Sequence, residues 1–146
     1  MVNKKNIEVR EKRNNIFVVN LLGIVFDIRK KKILIVRRKK DPYIKNLFWA
    51  FPGGQLSYDG DLEKVLEKKI KKKTGLKVKN LGAVFSRIAK ESQNLLLIYY
   101  LCEVVGGKEK KGEDILEIKW VNPEELEDYF TTSFDKRLRE YIMNLK

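Results

Sequence analysis

The alternation of apolar and polar positions divides the chain into strands first and helices second. Ile16 to Ile28 is dense in β-branched and aromatic residues and long enough for one bent strand. Arg29 to Lys32 is a polar turn, and Ile33 to Arg38 reads as a second strand, so the two predict a hairpin. A loop over Lys39 to Asn46 leads to a short apolar piece, Leu47 to Phe51, and Pro52-Gly53-Gly54 is expected to break the chain. The stretch from Asp61 to Gly75 changes period. Leu62, Val65, Leu66 and Ile70 fall on one helical face, Asp59 and Asp61 are candidate caps, and Gly75 is the expected left-handed stop. Leu81–Ala89 and Leu95–Val105 are two further strands, the second expected to be buried on both faces. Gly106 to Asp114 reads as a flexible loop and Ile115–Val121 as a strand. Asn122 and Pro123 open a helix, and Asp135 to Leu145 forms a closing amphipathic helix. No repeat or linker interrupts this order, which predicts a basic arm over 1–14 and one α/β (α+β) domain over 15–146 with a mixed sheet between helices.

Composition narrows the chemistry. The 146 residues carry 32 basic and 20 acidic side chains, a net charge of +12, which favours polyanionic partners. Histidine is absent, removing the commonest general base and transition-metal ligand, and Cys102 is the sole cysteine, so neither a disulfide framework nor a cysteine-based zinc site is expected. The longest apolar run, Leu95 to Cys102, is too short to span a bilayer, and the first fifteen residues lack the apolar core of a signal peptide. The expectation is a cytoplasmic protein with no membrane partner.

The segment Phe48 to Leu76 resembles the Nudix (MutT-like) hydrolase family, whose signature is G-x5-E-x7-R-E-U-x-E-E-x-G-U, with U apolar. With Gly54 as the first glycine, Ile70 takes the first apolar position, Gly75 the last glycine and Leu76 the final apolar position. Trp49-x-x-Pro52-Gly53-Gly54 and the later strand ending in Trp120 before Asn122-Pro123 also resemble the family, and the likeness runs from about residue 16 to 145. The resemblance implies a Nudix-type mixed sheet sandwiched between helices. It also implies a site at which glutamates hold Mg²⁺ against a pyrophosphate.

At those acidic positions the chain departs from the motif. The first Glu falls on Gly60, the Arg-Glu pair on Lys68 and Lys69, and the final Glu-Glu on Lys72 and Lys73. The five motif positions sum to −3 in the family and to +4 here. An ammonium offers donors only, whereas magnesium needs hard anionic oxygens. No Mg²⁺-dependent chemistry is therefore expected unless metal ligands have been relocated, with Asp59, Glu113 and Asp114 as the candidates.

Successive helical residues turn by about 100°. Lys69 and Lys73 then fall inside the apolar arc and Lys72 at its edge, whereas Lys64, Lys68 and Lys71 lie opposite. Lysines near a helix C-terminus offset its dipole, which accounts for the outer three. It does not account for Lys69 and Lys73, a like-charge pair four residues apart on the inner side. With Gly53 and Gly54 letting backbone approach a ligand, Lys69, Lys72 and Lys73 are candidate phosphate contacts. Arg37, Arg38, Lys39 and Lys40 are candidate RNA contacts, with Tyr43, Phe48, Trp49 and Tyr58 near in sequence for base stacking.

Three readings stay open. One is a silent Nudix fold that binds a nucleotide or other phosphorylated small molecule without metal. The second is a silent RNA- or protein-binding module. The third is a pyrophosphohydrolase with relocated ligands. The sequence leaves a homodimer open.

Overall fold

A computed structural model describes residues 16–39, 49–56, 60–90, 92–130 and 134–145. The candidates Asp59 and Lys40, the basic arm, and Tyr43, Phe48 and Tyr58 lie outside these residues. The elements are β1 (Val18–Asp27), β2 (Lys32–Arg38), β3 (Trp49–Ala50), β4 (Gly53–Gln55), α1 (Leu62–Thr74), β5 (Leu76–Ile88), β6 (Leu95–Gly107) and β7 (Ile115–Val121). A 3₁₀ turn (Pro123–Glu125), α2 (Leu126–Tyr129) and α3 (Lys136–Met143) follow.

The sheet runs β3-β2-β1-β6-β5, with β4 also pairing β1 and β7 also pairing β2. β1 and β2 form the expected hairpin, Phe26 facing Ile33. β1 and β6 are parallel over nine residue pairs, Val18↔Leu95 to Phe26↔Glu103, while β5 and β6 are antiparallel. The sheet is thus mixed, and the fold is α+β.

Strand parity builds two cores, because successive side chains point to opposite faces. Ile24, Ile33, Ile35, Leu97 and Tyr99 meet Leu126, Leu138 and Ile142 of the C-terminal helices. Leu21, Val25, Leu34, Tyr100 and Cys102 meet Val65, Leu66 and Ile70 of α1. The sheet therefore lies between α1 on one face and α2 with α3 on the other.

Four local expectations change. Pro52-Gly53-Gly54 does not simply break the chain: Gly53, Gly54 and Gln55 pair with Leu22, Leu21 and Asn20 as β4. β5 starts five residues earlier than expected, at Leu76 directly after the helix stop. Asn122 precedes a 3₁₀ turn rather than an α-helix and bonds the Glu125 carboxylate instead of capping the backbone. The loop expected to be flexible is fastened: Lys110 donates its backbone N–H to the carbonyl of Thr74 at 2.8 Å, and Gly112 to that of Lys73 at 2.9 Å. Those acceptors belong to the last turn of α1, whose carbonyls have no partner within the helix.

Candidate phosphate-binding site

The site is built on α1. Asp61 caps it, its carboxylate accepting from the N–H of Glu63 at 2.9 Å and of Lys64 at 3.5 Å. Gly75 ends it at φ 76°, the left-handed conformation glycine adopts without penalty, and donates to the carbonyl of Lys71. Val65, Leu66 and Ile70 are buried, fixing the helix about its axis. That rotation determines where the lysines point.

Lys69 and Lys73 are half-buried and run over β4. A Cβ added to Gly54 would lie 3.2 Å from Lys73 Nζ and 3.3 Å from Lys69 Cδ, so both chains lie across a position without a side chain. Lys73 Nζ donates to the carbonyl of Gly53. Gly53 is itself constrained: at φ 155°, a Cβ there would stand 2.0 Å from the Leu21 carbonyl oxygen. Burial, and then repulsion from Arg38 and Lys69, lowers the Lys73 ammonium from its ordinary 10.5 to about 8, with Asp114 and Glu113 acting in the opposite direction.

Other candidates are placed differently. Lys72 is exposed and pairs with Glu113 at 3.1 Å, both side chains largely in solvent. Lys68 is also exposed, and Gly60 sits in the turn before α1 at φ 95°. Asp114 adopts φ 62° and accepts the Lys39 N–H at its backbone carbonyl. The hairpin basics divide across a bulge: Arg37 Nε lies 3.6 Å from Glu117, whereas Arg38 is near enough to Lys73 to depress its pKa. Trp49 meets Tyr129 edge-on at 5.7 Å, and Lys119 lies 4.9 Å over the Tyr129 ring. Arg38 is the member of the cluster that sequence reasoning assigned elsewhere. Strand parity alone does not place it, because the pairing of β2 with β7 shifts register between Arg37 and Arg38.

The profile of the NUDIX domain matches residues 17–145. The chain belongs to the Nudix family. It is 32% identical over 122 residues to an ADP-ribose pyrophosphatase of Methanocaldococcus jannaschii, covering 80% of this chain and 71% of that one. Its fold is similar to a Nudix hydrolase from Nitrosomonas europaea (TM-score 0.71, 15% identity, 88% of this chain and 71% of that one). It is also similar to a MutT protein from Methanosarcina mazei (TM-score 0.66, 16% identity, 90% of this chain and 94% of that one).

Nudix motifs imply a divalent metal, and the donor set tests that implication. Gly60, Lys69, Lys72 and Lys73 offer no side-chain oxygen, and among the described residues no group of three or more Asp, Glu or Cys comes together. An ammonium repels Mg²⁺ and donates to the oxygens it would need. These residues do not fit a magnesium site of the kind the motif implies. Among the described residues, no helix is long and apolar enough to cross a membrane.

Proposed function

We propose that this Nudix chain binds a nucleotide or similar phosphorylated small molecule without a metal, and that it does not hydrolyse it. One observation carries the reading. Lys73 and Lys69 converge on the bare backbone of Gly53 and Gly54, with Arg38 adding a third cation close enough to depress the Lys73 pKa. Like charges gathered in a partly desolvated place repel one another, Asp114 and Glu113 offset part of that repulsion at Lys73, and a bound anion would offset more of it. Lysine binds phosphate as a compact point charge without demanding fixed geometry, and the missing side chain of Gly54 leaves room for both lysine chains to lie over the backbone. The relative named ADP-ribose pyrophosphatase makes ADP-ribose the first ligand to try.

The test is a thermal melt with ADP-ribose, ADP, pyrophosphate or inorganic phosphate, on the parent and on Lys69→Ala/Lys73→Ala. The expected result is ligand-dependent stabilisation of the parent and little in the double variant, since a ligand that binds only the folded state raises its stability. Equal stabilisation of both would move the site elsewhere. Metal-dependent release of phosphate, lost on Glu113→Ala or Asp59→Ala, would replace this reading with that of a pyrophosphohydrolase whose ligands have moved.

A further inference from the structure

The outer side of α1 forms a second basic feature, distinct from the inner cluster. A groove of about 450 Å³ runs between α1 and the start of β5. Lys64, Lys68, Lys71 and Lys72 line its helical wall and Lys77 its strand wall, with buried Val78 between them. Among the described residues Glu67 is the one acidic residue lining it, and its carboxylate accepts the backbone N–H of Asn80 at 3.2 Å. Glu113 neutralises Lys72. Lys64, Lys68, Lys71 and Lys77 have no carboxylate within ion-pair distance among the described residues.

We propose that this groove holds the sugar–phosphate backbone of a single nucleic-acid strand. Lys64, Lys68 and Lys71 follow one another along the helix at roughly 6 and 4.5 Å, a row of point charges. Lysines contact phosphates without reading bases, and among the described residues no aromatic side chain lines the groove for a base to stack on. An acidic protein fits less well. Protein interfaces are depleted in lysine and rely on aromatic and arginine anchors, and among the described residues none lines this groove. The hairpin basics, where sequence reasoning placed RNA, are less suited: Arg37 lies beside Glu117, and Arg38 belongs to the inner cluster. The surface is separate from the phosphate site, because Lys69 and Lys73 point the other way on α1.

The experiment measures binding of a fluorescent oligouridylate to the full chain at several salt concentrations, with poly-glutamate as competitor. Four phosphate contacts predict a log–log salt slope of about −2.8, so a roughly fourfold rise in salt weakens binding about fifty-fold. The variant Lys64→Ala/Lys68→Ala/Lys71→Ala/Lys77→Ala is expected to lose most of that slope while staying folded, its melting temperature lowered only slightly, since the side chains are exposed but Lys71 donates to the Gly75 carbonyl at 3.1 Å and the helical lysines offset the dipole. Lys90→Ala/Lys136→Ala, which removes two exposed lysines outside α1, is expected to bind the oligonucleotide like the parent. Parent-like binding by the fourfold variant overturns the proposal. So does displacement by poly-glutamate at equal charge concentration, which would make the groove a site for an acidic protein.

Discussion

Lys73 donates its ammonium to the carbonyl of Gly53, twenty residues away in sequence. Through this contact α1 is tied to β4, and a cation is held where water reaches it poorly. The folded state lowers the Lys73 pKa to about 8 from 10.5, so between those values the unfolded chain binds the extra proton. Stability therefore rises with pH across that window, and the penalty is fully present below it. Burial pushes Cys102 up to about 12 and raises Tyr100, and both effects act in the opposite sense at high pH. The comparison that isolates Lys73 is the parent against Lys73→Met in denaturant titrations from neutral pH to pH 10. The stability of Lys73→Met relative to the parent is expected to be highest at neutral pH and to fall as pH rises. A difference that does not vary with pH would show that Lys73 is not perturbed.

Gly53→Ala is expected to destabilise the fold by about 3 kcal/mol or more, because the added methyl meets backbone that cannot swing aside at a φ disfavoured for alanine. Gly106→Ala is the control. Its nearest neighbour would be Lys77 Cβ at 4.0 Å, and a change within about 1 kcal/mol is expected. Similar losses from both would place the Gly53 constraint outside the native backbone.

Mg²⁺ should neither stabilise the parent nor release phosphate from ADP-ribose, nucleoside triphosphates or capped RNA. Returning the motif's carboxylates, as Gly60→Glu/Lys69→Glu/Lys72→Glu/Lys73→Glu, is expected to create a Mg²⁺-dependent rise in melting temperature. The gain approaches about 2.7 kcal/mol when the ion is a hundredfold above its Kd. A parent that responds to Mg²⁺ as strongly as the variant would point to ligands outside these positions.

Asp61→Ala should cost about 1 kcal/mol by removing the acceptor for the first N–H groups of α1, and Asp61→Asn much less, since an amide oxygen also caps. Equal losses in urea titration would attribute the effect to charge at the helix start rather than to the hydrogen bond.

What the sequence revealed, and what it hid, follows from where each signal resides. The strand faces were legible in the alternation of Leu21 and Val25 with Leu22 and Ile24, and those residues do separate between the two cores. The limits of α1 were legible in Asp61 and Gly75, because caps are local chemistry. β4 was not: a strand containing two glycines after a proline has little propensity of its own and exists through its pairing with Leu21 and Leu22. The inward turn of Lys69 and Lys73 followed from helical period alone. The approach of Arg38 did not, because it depends on how β2 and α1 are brought together by the sheet. The fastening of Gly106 to Asp114 was also hidden, since its bonds join backbone to backbone; its trace in residue type is Gly112, where a Cβ would stand 2.0 Å from the Lys72 carbonyl oxygen.

The bonds from Lys110 and Gly112 to the end of α1 mean that the last helical turn cannot loosen unless the segment joining β6 to β7 loosens with it. Lys73 sits in that turn, so its position is set before any ligand arrives, and little ordering remains to oppose binding. The length of this segment is correspondingly restricted. Adding or deleting a residue between Gly107 and Lys110 would shift both donors along the chain and move an ammonium that is remote in sequence.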